Sequence, residues 1–192
     1  MDDTVPSPRG PAHGQSTLVV VGHPDLASSR VSAAFLSALR DVPHVEIRDL
    51  YALYPDHRID LEAERAAIGR AWRFVLQYPT YWYSAPPLLK QWLDEVLVRG
   101  WAYGTGRPGA LAGKHLLVAT STGGAGEAYA PGEFHGWDFD DVLIPMKATA
   151  RRLGMVWDRP LVVHAVRDLD GAALEREAAA YRNAITAGQT AA

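Results

Sequence analysis

At 192 residues the chain is long enough to bury a full core as one domain, and its 48% apolar and 21% charged residues are ordinary globular usage. A net charge of −3 with no basic block argues against nucleic acid as a partner. The lack of cysteine excludes disulfides, thiol catalysis and thiolate metal sites.

No apolar run approaches the roughly 20 residues that span a bilayer. The start of the chain also lacks the basic-then-apolar pattern of a signal peptide, so a cytoplasmic location is expected. Residues 1–15, rich in Pro, Gly, Ser and Asp, are expected to form a disordered tail before a single domain over 16–187. Thr17 to Val21 is a β-branched run that reads as a central strand buried on both faces, ended by Gly22-His23-Pro24. Ser28, Ser29 and Ser32 then open a helical pattern whose apolar positions are Val31, Phe35, Leu36 and Leu39. A strand, a polar loop and a helix start make a natural phosphate site, because free N–H groups converge there. Serines at such a place also serve as plain N-caps, and both readings stay open.

Val45 to Leu50 reads as a second strand, nearer a sheet edge, and Tyr51 to Asp60 as a connection. Leu61 to Trp72 is helical; Phe74 to Tyr78 is a third strand, with Pro79 expected to stop it. Three consecutive aromatics follow in Thr80-Tyr81-Trp82-Tyr83-Ser84. Either two pack inward and one is exposed, or they form a stacking wall for a planar ligand, which a strand's C-terminal end favours. Pro86 and Pro87 suit a helix start, and Leu88, Leu89, Trp92, Leu93, Val96 and Leu97 recur at helical spacing. Trp92 alternatively faces a partner subunit, and this apolar helix with the Gly100–Gly104 loop predicts a two-fold dimer.

His115 to Thr120 is a fourth strand that opens into Ser121-Thr122-Gly123-Gly124-Ala125-Gly126, a loop whose glycines let backbone lie close to a flat ligand. Tyr129 and His135 follow, both able to give a proton or hydrogen bond where negative charge develops. Pro131 and Gly132 between them suit a loop that turns back, so both rings are expected to face one ligand. Asp140 and Asp141 read as the start of a helix running to Leu153, with Gly154 as its stop. Leu161 to Val166 is a fifth strand and Leu169 to Ala187 a surface helix. The scattered His44, His57, His115 and His164 have no metal-binding spacing, and no metal is expected.

Strands alternating with helices imply an α/β fold with a parallel sheet. Five strands at this length fit a flavodoxin-like doubly wound sheet of order 2-1-3-4-5. The loops after strands one, three and four then share one crevice, whose phosphate end, aromatic wall and glycine loop match flavin mononucleotide (FMN). No G-x-G-x-x-G follows the first strand, which disfavours a dinucleotide fold.

A family resemblance is carried by His23-Pro24 with Ser29, by Asp49-Leu50-Tyr51 and Tyr54-Pro55-Asp56, and by Tyr78 to Ser84 with Pro86 to Trp92. Gly100-Trp101-Ala102-Tyr103-Gly104 and the Thr122-to-His135 segment extend it over roughly Val19 to His164. The chain resembles the flavodoxin-like NAD(P)H:quinone oxidoreductases, especially the bacterial branch of modulator-of-drug-activity proteins and ancillary subunits of glutathione-gated potassium efflux systems. The resemblance implies FMN as cofactor, NADH or NADPH as co-substrate, and ping-pong transfer of two electrons to a quinone or similar acceptor. It implies that His23, Ser29, Arg30, Val31 and Ser32 hold the FMN phosphate and ribityl chain. Thr80, Tyr81, Trp82 and Tyr83 would lie under the ring system, Ser121, Thr122, Gly123, Gly124 and Ala125 would bond its pyrimidine edge, and Tyr129 and His135 would be the catalytic pair. It also implies a homodimer with the site at the interface, where Tyr103 or a residue of Tyr51–Asp60 comes from the second subunit. Ser32 stands where many relatives have asparagine, and Ala125-Gly126 replaces a third glycine. The alternatives are a regulatory subunit docking on a membrane potassium-efflux antiporter and, ranked lower, a flavodoxin-type electron carrier.

Overall fold

β1 (Thr17–Val21) is buried at every position because it lies mid-sheet, pairing in parallel with β2 (Val45–Asp49) and β3 (Arg73–Pro79). The computed structural model describes residues 16–187 apart from 105 and 107, so the expected 1–15 tail lies outside the described residues. β3 pairs in turn with β4 (His115–Ser121) and β4 with β5 (Val156–Trp157), and the sheet order is β2-β1-β3-β4-β5, the order expected. All strand pairings within the described sheet are parallel.

Successive residues of a strand point to opposite faces, and the core divides accordingly. Leu18, Val20, Phe74, Leu76, Leu116 and Val118 face a cluster shared with α3 (Leu61–Arg70), α4 (Pro87–Val96) and α6 (Ile144–Leu153). Val19, Val21, Val75, Leu117 and Ala119 face the other, under α1 (Arg30–Ala38) and α7 (Gly171–Thr186). In this second cluster Phe35 stacks on Tyr181 at 4.3 Å between centroids.

Several boundaries differ from the expectation, each for a local reason. The second strand stops at Asp49, whose side chain accepts from Ala52 N and starts α2 (Leu50–Leu53). Pro79 does not stop the third strand but is its last paired residue, opposite Ser121. The expected Asp140–Leu153 helix is broken into α5 (Phe139–Val142) and α6, because Pro145 lacks the N–H that would continue the ladder. Gly154, at φ +70°, ends α6 as expected.

The fifth strand is two short segments, β5 (Val156–Trp157) and β6 (Leu161–Val163), both alongside β4. Asp158-Arg159-Pro160 interrupts it, inserting one residue more than β4 has opposite. The chain is therefore released from the sheet at Val163, and residues 164–169 form a loop.

Trp92 is fully buried, stacks near Phe74 at 5.5 Å and donates its Nε1–H to Glu64 at 2.9 Å. The apolar face of α4 thus belongs to the chain's own core. It supplies no surface for a second subunit, and the dimer expectation loses that ground.

Candidate flavin cleft

Three loops leave the C-terminal ends of adjacent strands β1, β3 and β4 and enclose a cleft of about 800 Å³. Such a crevice is where open α/β sheets bind ligands. His23, Ser28, Ser29, Arg30 and Val31 line one end, Pro79, Thr80, Tyr81 and Trp82 the middle, and Ser121, Thr122 and Gly123 the far wall. Val166 and Arg167 close it.

The first loop is built by its own polar groups. His23 Nδ1 accepts from Asp25 N at 3.1 Å, so His23 both caps the loop and lines the cleft. Burial lowers its pKa, the nearby Asp25 and Asp49 opposing, so the ring is neutral at pH 7. Ser29 Oγ accepts from Ser32 N at 3.1 Å and is the N-cap of α1. The N-cap reading of Ser29 holds, and the N–H groups of Arg30 and Val31 are left at the helix's open end. Ser32 is buried, and its carbonyl accepts from Gln77 Nε2 at 3.2 Å. It does not line the cleft, a departure from the expected cofactor contacts.

In the second loop, Tyr81 N donates to Ser84 O at 2.9 Å and Ser84 N to Tyr81 O at 3.0 Å, closing a two-residue turn. Its central residues, Trp82 (φ +48°) and Tyr83 (φ +63°), are both left-handed, the pattern of a type I′ turn. Glycine or asparagine ordinarily occupies such positions; two large aromatics there hold local strain of the kind found at ligand clamps. None of the three aromatics packs inward: Trp82 is 93% exposed and Tyr81 and Tyr83 about half. The inward-packing alternative is therefore excluded. Tyr81 and Trp82 face the cleft, whereas Tyr83 faces an adjoining pocket with His135.

The third loop is tied from below. Thr122 Oγ1 donates to Gly124 O at 2.8 Å and lies 2.9 Å from His164 Nδ1, so the histidine must donate there. Burial lowers the His164 pKa, with Glu127 opposing. Gly124 and Ala125 do not line the cleft; Gly124 is pressed against His135, whose Nε2 would stand 2.6 Å from a Cβ at that position.

The loop from Tyr129 to His135 does turn back, with His135 N donating to Ala128 O at 3.0 Å. It stacks the two rings on each other, however, instead of presenting both to the cleft. Tyr129 is 8% exposed and meets the edge of Phe139. His135 lines the adjoining pocket of about 520 Å³ with Tyr83, Trp137, Asp141, Val142, Ile144 and Pro145.

Ten of the fourteen expected cofactor contacts line the cleft; Ser32, Tyr83, Gly124 and Ala125 stand behind or beside it. Ser28, named with the phosphate-site serines, also lines the cleft, whereas Pro79, Val166 and Arg167 were missed, as was His164 beneath the glycine loop. For Arg167 the available signal was its place just after the fifth strand, which the apolar run to Val166 hid. Among the described residues no group of three or more His, Asp or Glu is placed to hold a metal ion. No helix among them is long and apolar enough to cross a membrane.

The family described as flavodoxin-like fold matches residues 15–185. The chain belongs to that family. The flavodoxin-like chain is 42% identical over 172 residues to the glutathione-regulated potassium-efflux system ancillary protein KefF of Salmonella typhimurium, covering 90% of this chain and 96% of the relative. Among solved structures it resembles general stress protein 14 from Treponema denticola in complex with FMN, at 34% identity and TM-score 0.82, covering 90% of this chain and 98% of that one. An NADPH-quinone reductase from P. pentosaceus has 32% identity and TM-score 0.81, with 88% and 97% covered.

Proposed function

We propose that the protein is an FMN-dependent oxidoreductase that uses NADH or NADPH to reduce a quinone or similar acceptor by two electrons. The observation that carries this is the single cleft where the open end of α1, an exposed aromatic turn and a glycine loop meet. The FMN-bound and NADPH-quinone reductase neighbours share the fold over nearly the whole chain.

The donor set suits a phosphorylated flavin. Arg30 N and Val31 N, at the start of a nine-residue helix, would meet the phosphate. The Tyr81–Trp82 turn would cover the ring system, and the Ser121–Gly123 backbone would approach its polar edge. When bound, FMN supplies the two-electron chemistry itself. The chain's own part is to bind, orient and exclude water. His135 and Tyr83, whose ring nitrogen Nδ1 and hydroxyl lie 3.2 Å apart, hold a proton at the mouth of the adjoining pocket. A small aromatic acceptor would enter there, among Trp137, Val142 and Ile144.

Phe134 is 90%, Trp137 67% and Ile144 54% exposed, beside the 93% exposed Trp82. So large an apolar collar favours a covering partner. A second copy of the chain is the first reading. Docking on a membrane antiporter is the second; the KefF relative is named as an ancillary protein of a glutathione-regulated potassium-efflux system. Light scattering of the eluting protein reads the oligomer, and co-purification with the antiporter tests the second reading.

The deciding experiment is an absorbance spectrum of purified protein, chromatography of the flavin released on denaturation, and NAD(P)H oxidation with a quinone. A protein left colourless by excess FMN would overturn the enzyme reading.

A further inference from the structure

Three side chains able to carry positive charge line the cleft: His23, Arg30 and Arg167. His23 is neutral in its buried setting. Arg30 is engaged elsewhere: Nη2 donates to Leu169 O at 2.6 Å and Nη1 to Val166 O at 3.4 Å. These two carbonyls flank Arg167 along the chain. The loop between them is fixed further by Ala165 N to Gly124 O at 2.9 Å, Val166 N to Thr122 O at 3.1 Å and Asp168 N to Ala165 O at 2.9 Å. Ala165 itself takes a left-handed φ of +51° to make the turn. Arg167 is exposed at the cleft wall, and among the described residues it makes no hydrogen bond or ion pair.

We propose that Arg167 is the cation that binds the phosphate monoester of the flavin nucleotide, and that Arg30 is the strut holding the loop that presents it. The proposal rests on the FMN reading of the cleft. A phosphate monoester is close to a dianion at neutral pH, and two backbone N–H groups at the end of α1 offset only part of that charge. A guanidinium adds a charged, forked donor suited to phosphate oxygens. Because Arg30 already ties the loop at both shoulders, Arg167 is carried on backbone that needs little ordering on binding.

Riboflavin lacks the phosphate and separates this contact from all others. Purified protein stripped of flavin is titrated with FMN and with riboflavin, following flavin fluorescence, in the parent chain, Arg167→Gln, Arg167→Lys and Arg176→Gln. Arg176, exposed on α7, controls for net charge. Arg167→Gln should weaken FMN binding roughly ten- to hundredfold and leave riboflavin within about twofold. Arg167→Lys should restore much of the loss, and Arg176→Gln should match the parent. Unchanged FMN affinity in Arg167→Gln, or equal loss for both flavins, would overturn the proposal. A parent protein that binds neither flavin, or both alike, would instead overturn the FMN reading of the cleft.

Discussion

The imidazole of His135 lies flat on the phenol ring of Tyr129, with centroids 3.9 Å apart and planes inclined by 11°. Tyr129 is buried against Phe139 and His164, so it serves as the platform and His135 as the polar face. Tyr129→Phe keeps the platform and should slow flavin bleaching by NADH or NADPH less than about tenfold. His135→Gln removes the polar ring and should slow it by roughly tenfold to a thousandfold, with flavin content unchanged. Stopped-flow absorbance measures both, and equal rates in all three proteins would take His135 out of the mechanism.

Gly124 is kept small by that same ring. A Cβ there would lie 2.6 Å from His135 Nε2 and 3.3 Å from Tyr129 Cε2. Both atoms are side-chain ends, so Gly124→Ala should displace the imidazole at little cost in stability. The expected result is a melting temperature near the parent's and a bleaching rate like that of His135→Gln. A parent-like rate would show that the ring's position is unimportant.

The turn at Trp82 and Tyr83 sets stability against binding. Trp82→Gly relieves a left-handed φ and should stabilise the protein by about 1 kcal/mol, less whatever chain entropy glycine adds to the unfolded state. It also removes the most exposed ring at the cleft, so flavin affinity should fall. Urea unfolding and flavin titration read the two effects separately. Lower stability with unchanged affinity would contradict both halves.

The three inner strands, β1, β3 and β4, were legible because each is a short, largely apolar run ended by glycine or proline, and a strand buried on both faces must be written that way. The β2 edge was legible from its flanking charges, but the opposite edge was not, since Leu161 to Val166 is apolar throughout and only the sheet decides that pairing ends at Val163. The split at Pro145 was visible in principle; the helical pattern around it outweighed the missing N–H. In the site, residue types and loops were readable, but partners were not. That Arg30 binds carbonyls 136 and 139 residues away, and that Tyr129 and His135 meet each other, are tertiary facts.

Glu64 is completely buried, and its carboxylate accepts from Arg48, Tyr54 and Trp92, uniting β2, α3 and α4. Glu64→Ala would strand the Arg48 charge and two further donors, and should cost about 3–5 kcal/mol in urea unfolding. Trp92→Phe keeps most of the packing but leaves one carboxylate oxygen without its donor, costing about 1–3 kcal/mol. A loss under about 1 kcal/mol for Glu64→Ala would mean that water replaces the network.

Stability should decline at both ends of the pH scale. Tyr54 is pushed up to about 12, first by burial and then by Glu64, and burial raises Tyr78 and Tyr181 also. Unfolded phenols ionise near 10, where these folded ones do not, so the stabilisation is complete below pH 10 and is lost as pH rises beyond it. His23 and His164 have depressed pKa values, so unfolded imidazoles take up protons first as pH falls through 6.5, and stability drops there. Urea midpoints across pH 5–11 (roughly the span covered by these groups) should form a dome, and a midpoint still rising above pH 10 would contradict the burial of the tyrosines.

Because β1 is apolar on both sides, alternation by itself gives little protection against a one-residue slip of the strand; either set of side chains would find oil. The stop is at the strand's end. Gly22 donates its N–H to Gln77 O at 2.9 Å, and its missing side chain leaves room for Leu89, whose Cβ would otherwise be 2.7 Å away. Slipping the strand would bring Val21 or His23 into a berth that admits neither. A bare backbone position thus acts as the notch that indexes the central strand, and with it the aim of the loop that begins at His23.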